Sequence, residues 1–582
     1  SFTPRKRLVD SMDAFVDNLR QLLPDGNVEK ELLIKVLKAV DPSLWNDENI
    51  ESMLGSFPEA ISIEHLAEWL DFPKVIEPQE ASCEVVDLKR YTEPESIWEA
   101  LATGHVRLVR ASWLVQQSKM QQILPRRQEL PQEAFIDVEE LKAIYGKGNP
   151  DGVLPIVAIS FCWLTPEHPD PEAQQLATVA AYLKREQSKY GEFFLEMGVF
   201  WDWLSLYQKD EKGERTPAEK EAFGFALHET MDLWYAHQGT TVYMLTQLPE
   251  GCTRKVGYAD SGWTTYERCS AEQIKKFFLG DQFGYTTGHA AWKLVIDLGA
   301  DEGARQAARN WPIGPDDFDE LINSKNFTNG ADKTDVKILF RKMSEKQLGG
   351  IEELSFREMK TPNSEDARHL AGCLNLCKSL TRLILAQIEL TDEACTSLFS
   401  TLADGALPSC QLLKLNNNNI GDYGMRAFLE ALGKGALASC QELWLSDNRI
   451  GDEGIRAFSE ALCKGALARC QHLHLFTNAT GDEGMRAFSE ALGKGALASC
   501  QELWLSDNRI GDEGIRAFSE ALCKGALARC QHLHLFTNAT GDEGMRAFSE
   551  ALGKGALASC ETLNLSGNKI GDEGRRVFSE AR

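Results

Sequence analysis

The chain has 582 residues, 43% of them hydrophobic, and a formal net charge of −25. That length supports about three or four domains with separate cores. The acidic excess argues against nucleic acid or an anionic membrane as the main partner. No apolar run approaches the ~18 residues a transmembrane helix needs, so no membrane span is expected. Fifteen cysteines could imply disulfides, but eleven lie between Cys373 and Cys560, most at one recurring position. Small buried hydrophobes in a reducing, cytoplasmic compartment explain that placement better. The chain starts at Ser1 and stops at Arg582 inside its last helical pattern, so it reads as part of a longer protein.

In residues 1–80, Asp25-Gly26-Asn27-Val28 lies between two helical patterns. A second stretch, Ile61-Ser62-Ile63-Glu64-His65-Leu66, has the same rhythm. The pair resembles an EF-hand module, whose two loops pair through a short strand at position eight of each. Calcium needs several oxygen ligands and usually a Glu at position twelve. Here Leu32 and His65 hold position twelve, so the all-α module is expected to be degenerate and to bind no calcium. Residues 81–150 read as linker, irregular, with a polar stretch at Pro125-Arg126-Arg127-Gln128 and a Gly-rich boundary from Gly146 to Gly152.

From Ile156 the pattern changes. Ile156 to Phe161 is a short apolar run of the kind found in buried parallel strands. A helical stretch from Gln174 to Lys189 follows, then a second strand over Gly198 to Trp203. A long helix is expected from Glu219 to His237, and a third strand from Thr240 to Leu245. Strand–helix–strand–helix–strand predicts an open parallel α/β sheet with right-handed crossovers. Ligands of such sheets sit at the carboxyl ends of the strands. That gathers Ser160–Trp163, Asp202–Gln208 and the loop after Leu245 around one crevice.

Three motifs fall there: Ser160-Phe161-Cys162-Trp163, Asp202-x-x-Ser205-x-x-Gln208, and Ser261-Gly262-Trp263-Thr264-Thr265-Tyr266-Glu267. In this order they resemble the fungal heterokaryon-incompatibility (HET) domain, a relative of TIR domains, over about 150–275. Ser261 and Tyr266 stand where HET domains carry Arg and Gln, while Ser261, Trp263 and Glu267 match the TIR segment Ser-x-Trp-Cys-x-x-Glu. The resemblance implies a domain that signals by self-association. Alternatively, as in catalytic TIR enzymes, Glu267 would cleave the nicotinamide–ribose bond of NAD, with Trp263 shaping the pocket and Asp202 a second carboxylate. A carboxylate can stabilise an oxocarbenium-like transition state, as in glycoside hydrolysis. Ser160, Trp163 and Ser261 are the candidate substrate-holding residues. NAD would be a substrate, and no cofactor is required. Cys162 reads as a core thiol, and no phosphate-binding Gly-x-x-x-x-Gly-Lys-Ser/Thr loop occurs.

Residues 276–350 read as a helical connector, whose Phe318, Leu321, Ile322, Phe327, Leu339 and Phe340 could cap the C-terminal region. From 351 to 582 the chain repeats. Gln441–Cys500 recurs letter for letter as Gln501–Cys560, and each 60-residue copy is two similar halves of 30. Each half reads Cys-x-x-Leu-x-Leu-x-x-Asn, then Gly-Asp-Glu-Gly, then an apolar helical stripe. Such a period marks a solenoid whose units bury their hydrophobic faces only by stacking. In the unit from Cys440, Leu443 and Leu445 give a short strand. Asn448 can satisfy backbone groups at its exit. Asp452 and Glu453 open a helix, and Gly465 ends it.

These units strongly resemble leucine-rich repeats of the ribonuclease-inhibitor type, each a strand plus a helix. The residues beside the strand leucines would face the concave side. There Trp444, His474, Trp504 and His534 would form an aromatic ladder, flanked by His472, Phe476, His532 and Phe536. Exposed Trp and His suit a hot-spot surface for a protein or peptide. No metal site is expected, since no Cys or carboxylate motif completes His472 and His474.

The expectation is therefore a multidomain α/β protein: an EF-hand-like helical pair, a central TIR-like sheet and a C-terminal repeat horseshoe. It would recognise a protein partner through its repeats.

Overall fold

The computed structural model describes residues 27–29, 60–62, 89–146, 152–190, 195–275, 278–279, 292–299, 305–306, 309–357 and 359–581. It divides into two units, residues 1–85 and 86–582. In the first, strands β1 (Asn27–Glu29) and β2 (Ala60–Ser62) pair antiparallel, with Val28 opposite Ile61. The loops and helices of the EF-hand reading lie outside the described residues.

The second unit begins with structure where linker was expected. Helices α1 (Glu95–Ala102), α2 (Ala111–Lys119) and α3 (Val138–Tyr145) bury Ile97, Leu101, Leu114, Leu141 and Ile144. Between α1 and α2, the two-residue strand β3 (Val109–Arg110) joins the edge of the central sheet. A strand this short leaves no alternating pattern to read.

The remaining strands of that sheet are β4 (Ile156–Ser160), β5 (Gly198–Phe200), β6 (Thr241–Met244), β9 (Val295–Asp297) and β10 (Arg305–Gln306). Strands β7 (Phe278–Leu279) and β8 (Trp292–Lys293) form a separate antiparallel pair. The sheet order is β10-β9-β6-β4-β5-β3. Its four middle strands are parallel, as the alternation of strands and helices requires, but both edge pairings are antiparallel. The sheet is therefore mixed rather than wholly parallel. The stretch expected to be only helical connector supplies two of its strands. Every residue of β4 is buried, which is why that strand reads as a continuous apolar run.

Helix α4 (Gln174–Tyr190) follows β4, and the four-residue helix α5 (Asp202–Ser205) follows β5. The long helix expected over Glu219–His237 is three pieces. Helix α6 (Pro217–Phe225) opens on a Thr216–Glu219 capping box, a π turn spans Ala226–Thr230, and helix α7 is Met231–Ala236. Within the π turn, Thr230 Oγ1 donates to Ala226 O at 2.9 Å. Such one-turn widenings are rare and leave no signature in periodicity. Helix α8 (Gly262–Glu272) carries Trp263 and Glu267. Helices α9 (Pro315–Asn323) and α10 (Asp332–Gly350) then pack together through the stacked rings of Phe318 and Phe340, 3.8 Å apart. Tyr266 of α8 meets Phe340 edge-on, so α10 is fixed to the central domain just before it runs into the repeats.

The repeat sheet has eight parallel strands, β11 (Glu353–Ser355) to β18 (Thr562–Asn564), paired in chain order. The register never slips: Leu413, Leu443, Leu473, Leu503, Leu533 and Leu563 lie opposite one another. Two ladders hold it. Asn508 Nδ2 donates to Leu475 O at 3.0 Å and Leu505 O at 3.2 Å, while its Oδ1 accepts from Thr480 N at 3.2 Å. Asn418, Asn448, Asn478, Asn538 and Asn568 do the same in their own units.

The second ladder has no counterpart in the sequence reading. The helices of the first two repeats are capped by Asn363 and Thr391, but the five from Asp422 to Gly553 each start on a glycine that offers no side-chain cap, and the preceding repeat supplies the acceptor. Asp482 Oδ1 takes Gly511 N at 2.7 Å and Gly514 N at 2.9 Å. The second glycine of Gly-Asp-Glu-Gly exists for space, since a Cβ on Gly514 would lie 2.7 Å from that oxygen. Gly465, at φ +93°, does follow the helix end as expected. Burial pushes the Cys440 thiol up to about 12, as befits a core residue. All described cysteines are free thiols.

Candidate functional site

The three central motifs meet as the strand order dictates. The loops after β4, β5 and β6 open on a cleft of about 1050 Å³ lined by Cys162, Trp163, Asp202, Trp203, Gln208, Arg254, Ser261, Trp263 and Glu267, among others. Glu267 is half-buried, one turn into α8, where Trp263 and Glu267 share the inward face. Its Oε2 accepts a hydrogen bond from Ser160 Oγ at 2.6 Å, and Ser160 Oγ lies 2.6 Å from Tyr258 Oη. Ser160 is thus fully buried behind Glu267 and does not line the cleft. Expected to hold substrate, it instead holds the Glu267 carboxyl group from behind.

Asp202 sits at the end of β5. Its Oδ2 accepts from Trp163 Nε1 at 2.8 Å and its Oδ1 from Trp203 N at 2.6 Å. Trp163 and Trp203 meet edge-to-face at 5.3 Å. Gln208 Nε2 donates to Asp202 O at 2.9 Å, which explains the Gln at that spacing. Burial raises the Asp202 carboxyl to about 6. Burial first, and then the charge of Asp202, hold Glu267 well above the usual carboxylate range, against the hydrogen bond from Ser160. Neither carboxylate forms an ion pair among the described residues. Burial also raises the Cys162 thiol, which is not a nucleophile's environment.

Trp263 lines the cleft, but its Nε1 donates to Asp332 Oδ2 at 2.9 Å, and Asn329 Nδ2 holds the other oxygen at 2.7 Å. Asp332 opens α10, so the approach to the repeats closes one wall of the cleft. Ser261, 9% exposed, lines it as expected. The start of α8 is tightly packed: Gly262 N donates to Asn326 O at 2.8 Å, and a Cβ there would fall 2.0 Å from Phe327 Cζ. Tyr258, Arg254 and Asp332 escape sequence reasoning because no motif marks them. They come from the β6–α8 loop and from α10.

The concave rings form a stack rather than an exposed row. Trp444 and His474 lie 4.1 Å apart at 17°, His474 and Trp504 5.7 Å at 26°, and Trp504 and His534 3.9 Å at 25°. Lys414 Nζ sits 4.0 Å over the outer face of Trp444. His474 is buried by this stacking, at 6% exposure, and its imidazole is pushed down to about 4. It is thus not the exposed contact residue that was expected. Trp444, Trp504, His534, Phe476 and Phe536 remain half-exposed, as do His472 and His532. His472 Nδ1 pairs with Glu502 Oε2 at 3.0 Å. Among the described residues no group of three or more His, Cys, Asp or Glu is placed to hold a metal ion.

A family model described as Leucine Rich repeat matches residues 441–459, 501–519 and 561–579. Each match covers a strand and the first part of its helix, so the C-terminal solenoid is one of leucine-rich repeats. No curated protein matches the chain. Among solved structures, internalin C2 from Listeria monocytogenes aligns at 18% identity over 39% of this chain and 76% of its own, with a TM-score of 0.25. The plant peptide hormone receptor RGFR1 in complex with RGF2 aligns at 14% over 39% and 41%, TM-score 0.21. The TLR13–ssRNA13 complex aligns at 13% over 40% and 32%, TM-score 0.23. Among the described residues, no helix is long and apolar enough to cross a membrane.

Proposed function

We propose that this is a recognition protein whose leucine-rich repeats bind a protein or peptide on their concave face, while the central domain acts as effector by self-association, as its HET/TIR resemblance implies. The observation that carries the first half is the stacked Trp444–His474–Trp504–His534 column. Such rings present rigid contact area whose ordering cost is met before any partner arrives. Crosslinked capture by the full chain tests it. A protein retained by wild type should be lost with Trp504→Ala and kept with Arg516→Ala on the helical face. Equal retention by both variants would remove the reading.

One observation favours a second reading of the central domain, cleavage of the nicotinamide–ribose bond of NAD. Glu267 opens onto a cleft together with Trp263 and Asp202 instead of being spent in an ion pair. In the free protein burial raises both carboxyls, and the charge of Asp202 raises Glu267 further. A cationic nicotinamide ring in the cleft would reverse that effect and restore a carboxylate beside a developing oxocarbenium charge. The full chain is incubated with NAD, with nicotinamide release and sedimentation followed on the same samples, beside Glu267→Ala. Release that is lost in the variant supports cleavage. Assembly without release, even at high protein concentration, leaves the effector acting by self-association alone.

A further inference from the structure

Four cations line the cleft: Arg126, Lys209, Arg215 and Arg254. Arg126 is paired with Glu129 at 3.3 Å, and Lys209 is exposed at the rim. The other two differ. Arg254 is anchored by backbone carbonyls alone: its Nε donates to Val256 O at 2.8 Å and its Nη1 to Trp163 O at 2.7 Å. Arg215 is anchored the same way, Nε donating to Tyr207 O at 2.7 Å, with its guanidinium 3.6 Å from the centroid of the Phe223 ring. Neither has a carboxylate within ion-pair distance among the described residues. Glu219, the acidic group acting on Arg215, is occupied in the capping box with Thr216, at 2.9 and 2.8 Å.

In a chain of net charge −25, two immobilised guanidiniums that no described carboxylate pairs go against the trend, in a cleft that seven Asp and Glu side chains also line. Guanidinium forks pre-oriented by carbonyls and an aromatic face are suited to bidentate binding of phosphate oxygens. Of the seven Asp and Glu side chains that line the cleft, Asp202 and Glu267 oppose an anion less than free carboxylates would, because both are held above the ordinary carboxylate range, and Asp332 is engaged by Trp263 and Asn329.

We infer that Arg254 and Arg215 form an anion site in this cleft that holds a phosphate or diphosphate group of its ligand. The inference rests on the cleft being a ligand site, and is independent of whether any bond is cleaved there. Trp163 links the two halves of the site, its carbonyl accepting from Arg254 and its indole donating to Asp202.

Titration of the full-length protein with inorganic pyrophosphate, followed by calorimetry, tests it at two salt concentrations. Wild type should bind, more weakly at high salt. Arg254→Gln and Arg215→Gln should each weaken binding by about tenfold or more, the loss expected for a charge-assisted hydrogen bond. Arg254→Lys, which keeps the charge and loses the fork, should fall between. Thermal unfolding of each variant is compared with wild type. A fall in binding confined to variants that melt like wild type supports the site. No binding by wild type at millimolar pyrophosphate, or binding unchanged in both glutamine variants, overturns it. Nicotinamide release is read on the same proteins. Pyrophosphate binding without release leaves the anion site standing and removes cleavage. Release that is insensitive to both arginines does the reverse.

Discussion

Asn508 gives the sharpest test of how the repeats are held. It is 9% exposed, and its amide reaches Leu475 O, Leu505 O and Ser506 O at 3.0, 3.2 and 3.1 Å, while its carbonyl takes Thr480 N at 3.2 Å. Asn508→Ala strands these backbone groups in the interior. Each buried group left unpaired costs about 1–3 kcal/mol. Ser506 O keeps a second donor, Thr477 N at 2.9 Å, which lowers the sum, so about 3–5 kcal/mol is expected. That is a large share of the ~5–15 kcal/mol available to a folded domain. Because each repeat contacts only its neighbours, the loss should be local. Urea unfolding should separate into two steps, the units after Thr480 melting first. Asn508→Asp isolates the amide, since it keeps the shape and the acceptor for Thr480 N but turns the donor toward Leu475 O and Leu505 O into another acceptor. It should cost at least as much as Asn508→Ala. A shift under about 1 kcal/mol for alanine, or an aspartate tolerated as well as asparagine, would refute the ladder as a source of stability.

Three other perturbations have definite expected outcomes. Asp482→Ala removes the acceptor of Gly511 N and Gly514 N and should cost about 1–2 kcal/mol, the usual value of a helix cap. Gly514→Ala drives the same carboxylate away, so in urea melts the double variant should lose less than the two singles summed, and strict additivity would count against capping across repeats. Gly262→Ala, whose Cβ would overlap Phe327, should lose about 1–3 kcal/mol by overpacking, and an unchanged melting temperature would show that α8 is less tightly seated than its contacts indicate. Glu267→Gln should stabilise the fold in a pH-dependent way. Burial holds this carboxyl above its unfolded value, so its favourable contribution is complete below the unfolded pKa and lost as pH rises through the folded one. The variant's melting temperature should therefore gain on wild type as pH rises above about 4, and a difference that does not change with pH would disprove the shift.

Legibility in the amino-acid sequence divides by the range of the interactions. The repeat strands are legible because Leu443 and Leu445 recur against copies of themselves, so one unit's pattern specifies its neighbour's. The crevice is legible because Ser160, Asp202 and the loop before Glu267 all stand at strand ends, where topology brings them together. Asp452 shows the limit of reading locally: it does open its own helix, yet its oxygen reaches Gly481 and Gly484 of the next unit. Arg254, Tyr258 and Asp332 are invisible because their partners lie 91, 98 and 69 residues away. The edge strand Val109–Arg110 carries too few residues to show a period. His474 is expected to be exposed because alternation places it on the concave face, but alternation says nothing of what its two tryptophan neighbours do to it.

The duplication itself bears on what the repeats recognise. The backbone repeats every 30 residues, and on that ground the aromatic rings should be evenly spaced. They are not. Tight contacts of 4.1 and 3.9 Å join Trp444 to His474 and Trp504 to His534, each pair inside one 60-residue copy, and the wider 5.7 Å step from His474 to Trp504 falls between copies. The strand leucines keep the same cross-strand partners in every repeat, so their register alone does not distinguish 30 from 60. Side chains alternate on both sides of the sheet: Glu and Trp with His and His on the concave face, and Ile450 with Thr480 and Ile455 with Met485 in the core. The 60-residue unit is therefore written into the core and the concave face alike. A partner that reads this face meets two equivalent Trp–His pairs, with Lys414 closing one end of the column over Trp444. At the other end the row passes from His534 to Asn564, its cross-strand neighbour.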